Sequence, residues 1–144
     1  MASRNYTRTG FSFHNNRGLN NSYAVIPVTR DTTNSPQSVE FPNSGNIQSV
    51  QLDLTSISTG GLSVTMYLAR DSSGLNIITP STTSGATQDI SYTSGTAVGG
   101  VSFAVDTDYH YDSGVANTVE GTIYVVAKLS SGTAIADVRV NWRA

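Results

Sequence analysis

The chain has 144 residues and no cysteine, which gives room for one domain with a real core and removes disulfides, thiolate nucleophiles and cysteine-ligated zinc. Charged residues make up only 12%, about half the usual share, while Ser, Thr and Asn supply about a third. The net charge of −2 speaks against a nucleic-acid-binding body, and no apolar run approaches the about 18 residues of a membrane-spanning helix.

The opening MASRNYTRTG has no apolar h-region, so no signal peptide is expected. Residues 1–22 carry Arg4, Arg8 and Arg17 and no acid; the first acid is Asp31. With Arg30 the first 30 residues hold +4, and 4 basic with 10 acidic residues give 31–144 a charge of −6. Apart from Phe11, Phe13 and Leu19 this segment is short of apolar residues. Residues 1–22 therefore read as an extended basic arm in front of a single folded body, 23–144. Arg4, Arg8, Phe11, Phe13 and Arg17 are its candidate partner contacts.

Strand patterns fill the body. Val50, Leu52 and Leu54 alternate, but Ile47 is out of phase, so a bulge is expected near Gln48 and Ser49. Leu62, Val64, Met66 and Leu68 alternate with Ser63, Thr65, Tyr67 and Ala69, and Val101, Phe103 and Val105 follow the same rule. GTIYVVAKL, residues 121–129, is apolar on both faces in its middle and reads as a central strand covered on both sides. Ala136, Val138, Val140 and Trp142 alternate again, which puts the lone Trp in the core.

Turn residues punctuate these runs: Ser44-Gly45-Asn46, Thr59-Gly60-Gly61, Asp71-Ser72-Ser73-Gly74, Ser94-Gly95, Gly99-Gly100, Asp112-Ser113-Gly114 and Ser130-Ser131-Gly132. Two direct hairpins are expected, 47–58 with 62–70 and 122–129 with 133–142. No capped helical period appears. The pattern predicts an all-β fold, an antiparallel β-sandwich of about eight strands, jelly-roll-like, with an immunoglobulin-like sandwich as the second choice.

Chemistry has few candidates. Asp106, Asp108 and Asp112 lie within seven residues, beside His110, and hard cations take oxygen ligands. The spacing is not that of an EF-hand, and a strand edge followed by an Asp-Ser-Gly turn explains it equally, so no metal or other cofactor is expected. The only histidines are His14 and His110, no Gly-x-Ser-x-Gly elbow occurs, and Glu40 and Glu120 are the only glutamates. No catalytic residue is assigned and no enzyme is expected. Tyr67, Tyr109, Tyr111 and Tyr124 are candidate glycan or interface aromatics, because Tyr67 and Tyr124 alternate with core positions and so point away from the core.

The Ser/Thr/Gly/Asn-rich, cysteine-free, charge-poor composition resembles small virion β-sandwiches of tailed bacteriophages, capsid cement (decoration) proteins above all. The stretch from Glu120, GTIYVVAKLSSGTAIADVRVNWRA, is similar to the closing hairpin of such proteins: an apolar strand, a Ser-Gly turn, then an alternating strand ending on Trp. The resemblance implies a non-enzymatic virion protein that binds and stabilises a capsid lattice. Its implied partners are the major capsid protein or other virion proteins and further copies of itself, with a trimer as one form. Neither a membrane nor a specific nucleic acid is implied. The alternative is a carbohydrate-binding module or a tail-fibre or receptor-binding tip domain.

Overall fold

A computed structural model describes residues 9–28, 44–58, 62–70, 73–74, 77–79, 86–89, 98–110 and 123–143. Among them lie nine strands: β1 (Thr9–Leu19), β2 (Ala24–Val28), β3 (Ser44–Thr55), β4 (Ser63–Ala69), β5 (Ile77–Thr79), β6 (Ala86–Asp89), β7 (Val98–His110), β8 (Ile123–Leu129) and β9 (Ala134–Arg143).

The pairing is nested. β1 pairs with β9, β2 with β8, β3 with β7 and β4 with β6, all antiparallel, as in one long hairpin whose tip lies near β5. The hairpin is then rolled, so that β9 also pairs with β3 and β8 with β4. Two sheets result. The first has the order β1-β9-β3-β7; the second runs β2-β8-β4, with β5 and β6 both on the far side of β4. This is the jelly-roll arrangement of a β-sandwich.

The core lies between the sheets. β9 alternates buried and outward residues along its length, and Ala134, Ala136, Val138, Val140 and Trp142 face inward with Val50, Leu52, Leu54, Val101 and Phe103. Val64, Met66, Leu68, Ile123, Val125, Ala127, Leu129, Ile26 and Val28 oppose them in the same cluster. Full burial of each larger side chain contributes about 1.5–3 kcal/mol. The bulge expected near Gln48 is present: both pairings of β3 shift register between Ile47 and Ser49, which keeps Ile47 and Val50 buried together. Pro27 sits in β2, an edge strand, where a missing N–H costs no ladder bond.

Three expectations need correction. First, residues 9–19 are not an arm. They form β1, bonded along β9 from Thr9 opposite Arg143 to Leu19 opposite Ala134. The sequence looks poorly anchored because β1 contributes little apolar mass: Gly10 lies opposite Trp142, where a Cβ would come within 2.6 Å of the indole, and buried Ser12 accepts a hydrogen bond from Trp142 Nε1 at 3.3 Å. Second, neither expected hairpin is one, since β3 and β4, like β8 and β9, belong to different sheets. Their Gly- and Ser-rich connections carry the chain from sheet to sheet, and the crossings are bonded to each other. Ser58 N–H donates to the Thr133 carbonyl (3.0 Å) and Ser130 N–H to that of Ser63 (2.9 Å). In return Thr133 N–H donates to Ser58 Oγ (2.8 Å) and Ser63 N–H to Ser130 Oγ (3.0 Å). Third, Gly45 and Gly99-Gly100 lie inside β3 and β7 rather than in turns. A Cβ on Gly100 would stand 3.2 Å from Asp53 Oδ1, so the glycine there leaves room for the Asp53 carboxylate.

Candidate functional site

The two outer faces of the sandwich are finished differently. On the second sheet, Tyr67, Ala69 and Val126 form a small apolar cluster with Val25, Ile77 and Tyr124 packed against it. The chain covers this cluster itself. Tyr67 OH donates to the Gly74 carbonyl at 3.0 Å, and the Gly74 Cα lies so close that a Cβ would meet Tyr67, Val126 and Val25 at 3.3 Å. Gly74 also has φ +74°, the left-handed region that favours glycine. β8 is thus covered on both sides, as its apolar run predicts. Arg70 donates to the Ile77 carbonyl at 2.9 Å, holding β5 on the edge of β4; burial pushes its guanidinium below the usual pKa.

Tyr67 is therefore corrected as a glycan or interface ring. It does point away from the main core, but it is only 6% exposed, with Gly74 and the Tyr23 ring packed against it. Tyr124 is half-buried beside it. Among the described residues the exposed ring on this side is Tyr23, at 37%, edge-on to Tyr67 (5.4 Å between centroids) and with Lys128 Nζ 4.7 Å from its own centroid. Sequence reasoning passed over Tyr23 because it lies outside any alternating run.

On the outer face of the first sheet Asp53, Thr55, Ile135, Asp137 and Arg139 are exposed, and the register makes rows across the strands. Phe11 lies opposite Asn141, which lies opposite Ser49; Phe13 opposite Arg139, which faces Gln51. Next come Asp137 and Asp53, directly opposite each other, with Gly100 beyond. The last row sets Gly18 opposite Ile135, opposite Thr55.

The first two rows are knitted together. Phe11 and Phe13 rings are 5.7 Å apart, and the Arg139 guanidinium stacks 3.9 Å over Phe11. Arg139 Nε donates to Asn141 Oδ1 (2.9 Å), whose Nδ2 donates to Ser49 Oγ (3.0 Å) and Gln51 Oε1 (3.3 Å). Arg139 is thereby held over Phe11. Asp137 Oδ1 accepts the Asn16 N–H at 2.9 Å; Asn16 has φ 59° where β1 bulges between His14 and Arg17. Among the described residues no side chain pairs with Asp53. A hollow of about 300 Å³ lies here, lined by Phe11, Phe13, Asn15, Asp53, Asp137, Val138 and Arg139. Beyond it Ile135 is 39% exposed, since a Cβ on Gly18 would meet nothing within 4 Å.

The structure brings Phe11 and Phe13 together on this face but separates Arg17 from them. The bulge at Asn16 shifts the phase of β1, so Arg17 lies opposite buried Ala136, on the inward register. Arg4, Arg8, Tyr111 and Asp112 lie outside the described residues, and Tyr109 lies in β7 opposite Gly45. Asp106 and Asp108 do converge: Asn46 Nδ2 donates to an oxygen of each at 3.0 Å, and an Arg143 nitrogen lies 3.6 Å from Asp106. Hydrogen-bond donors hold this pair, and among the described residues no group of three or more His, Cys, Asp or Glu is placed to hold a metal ion. His14 is half-buried opposite Val138. The Asp53–Asp137 row escaped the sequence reading because it depends on register between strands more than 80 residues apart.

No protein-family model matches the chain, and no curated protein does. Among solved structures it is similar to a chain from cowpea mosaic virus top component, naturally occurring empty particles. The match has 15% identity and a TM-score of 0.41 over 96% of this chain and 86% of that one. The jelly-roll assignment stands on the strand pairing.

Proposed function

We propose that this chain is a non-enzymatic structural protein of a virion, a capsid cement or decoration subunit of the tailed-bacteriophage kind. It binds a capsid lattice through the outer face of its first sheet. The observation that carries this reading is the contrast between the outer faces. On the second sheet Gly74 lies over Tyr67 and Val126, whereas the outer face of the first sheet carries half-buried Phe11 and Phe13 and exposed Ile135 beside Asp53, Asp137 and Arg139. A sheet face that combines apolar anchors with polar and charged neighbours suits an interface. The low overall charge points the same way, since charges buried between subunits need partners. Arg4 and Arg8 supply further contact, to the major capsid protein, other virion proteins or further copies of the chain, in a homo-oligomer such as a trimer. The test is co-sedimentation with capsid particles. The wild-type chain binds; the Phe11→Ser, Ile135→Ser double variant, folded by circular dichroism, does not. Undiminished binding by that variant refutes the proposed face.

A second reading rests on the hollow itself. Aromatic rings beside Asn15, Asp53, Asp137 and Arg139 are the residue types that stack on and hydrogen-bond sugars, and jelly rolls serve lectins as well as capsids. A glycan-array signal lost on Phe13→Ala favours this reading, as a carbohydrate-binding or tail-fibre tip domain; a silent array counts against it.

A further inference from the structure

We infer that residues 98–104 of β7 form a dimerisation edge, on which a second copy of the chain lays its own residues 98–104, antiparallel, about a two-fold axis. The inference rests on the strand pairing and stands apart from the lattice-binding face proposed above.

This edge is unlike the others. A sheet edge offers backbone donors and acceptors at strand spacing, and folded chains blunt such edges with short strands, prolines, bulges or charges. Among the described residues, β1 is bulged between His14 and Arg17, with Asn16 at φ 59°. β2 has five residues and carries Pro27, and β5 and β6 have three and four residues. β7 has 13 residues and, among the described residues, pairs with β3 alone. Its own irregularity, with Asp106 at φ 47°, lies between Ala104 and Thr107. Residues 98–104 therefore run in unbroken register along β3, from Val98 opposite Thr55 to Ala104 opposite Ser49. Their sequence, VGGVSFA, has no proline and no charge.

An extended backbone is what completes such an edge. The charges in β7 set its direction. Asp106 and Asp108 follow the uncharged stretch at one end. A second β7 laid parallel would set these carboxylates beside their copies, and like charges directly opposite destabilise a pair. An antiparallel copy centred on Val101 sets Val98 opposite Ala104, Gly99 opposite Phe103 and Gly100 opposite Ser102. The two copies of Asp106 then stand about ten residues apart along the pair, roughly 34 Å at about 3.4 Å per residue. Half-buried Gly100 and exposed Ser102 and Ala104 bring only small groups together on the outer face. The segment is thus complementary to itself, and every copy carries it, so one two-fold contact completes both edges at once. The joined sheets would also place two Phe11–Ile135 faces on one continuous surface.

The experiment uses the full chain. Sedimentation equilibrium is expected to show a dimer, and amide hydrogen exchange to show protection of 98–104 that rises with chain concentration. Ser102→Lys sets like charges diagonally across the axis and is expected to weaken the dimer about fivefold, as is Ser102→Asp. Mixed in equal amounts, the two variants are expected to regain association, because unlike charges then meet. The chain has no cysteine, so Val98→Cys with Ala104→Cys supplies the only thiols. Within one chain these lie roughly 20 Å apart at about 3.4 Å per residue, beyond disulfide reach, and oxidation is expected to give a covalent dimer. A wild type that is monomeric at about 1 mM overturns the inference. So does a dimer unaltered by both Ser102 variants, or protection of 98–104 that is equal at every concentration, as a cover from the same chain would give. Protection that appears only when capsid particles are added assigns the edge to another partner and overturns it too. Capsid binding by a monomeric chain overturns this contact while sparing the proposed function; dimerisation through this edge without capsid binding does the reverse.

Discussion

Gly10 stands directly opposite Trp142, and the indole occupies the space where a side chain on residue 10 would go. A Cβ there would fall 2.6 Å from the ring. The close Gly10–Trp142 contact and the Ser12–Trp142 hydrogen bond add to the backbone ladder that joins β1 to β9. Gly10→Val should cost about 1–3 kcal/mol by overpacking, read as a lower urea midpoint with unchanged slope. Wild-type stability in that variant would show that Trp142 yields readily. Deletion of residues 1–8 should leave the unfolding transition intact, whereas deletion through Leu19 removes a whole strand and should abolish cooperative unfolding.

Tyr67 and Gly74 make the parallel argument on the second sheet. Tyr67→Phe removes one hydrogen bond to a buried carbonyl and should destabilise by about 1–3 kcal/mol. Gly74→Ala should cost more than about 1 kcal/mol, because it places a Cβ at positive φ against three neighbours. Thermal melts report both, and a silent Tyr67→Phe would mean that the hydroxyl finds water instead.

Asp53→Asn should stabilise the isolated chain by roughly 0.2–1 kcal/mol, by relieving a like-charge cross-strand pair. Chemical denaturation in low salt measures the gain, and the gain should shrink in high salt. Loss of stability would show that Asp53 carries a structural role that the repulsion argument omits.

The serine-stitched crossings are testable in the same way. Ser58→Ala and Ser130→Ala each remove one hydrogen bond between the β3–β4 and β8–β9 connections, an expected loss of about 0.5–1.5 kcal/mol each. Because the crossings lie side by side, the two losses should be non-additive in a double-mutant cycle. Strict additivity would mean the crossings act independently.

Much of the fold was legible from period-two alternation. The inward set of β9, the bulge between Ile47 and Ser49 and the two-sided burial of β8 are local consequences of side-chain direction. The partners of each strand were not legible. Ser130-Ser131-Gly132 reads alike whether it closes a hairpin or carries the chain between sheets, and only the nested pairing distinguishes them. The same limit hid the site. Phe11 and Phe13 were visible as candidates, but the Asn16 bulge that turns Arg17 off their face, and the opposition of Asp53 to Asp137, arise from register between distant strands. Tyr67 was placed on the correct side of its strand, and its hydroxyl is bonded to the Gly74 carbonyl, a contact from outside the strand.

The central claim is that the outer face of the first sheet is covered in an assembled particle. A strand-resolving reconstruction of particles carrying this chain tests it directly. The account predicts Phe11, Phe13, Ile135 and the Asp53–Asp137 row beneath a neighbouring subunit. A particle in which that face is open to solvent and the neighbour contacts lie on the Tyr23 side would contradict it.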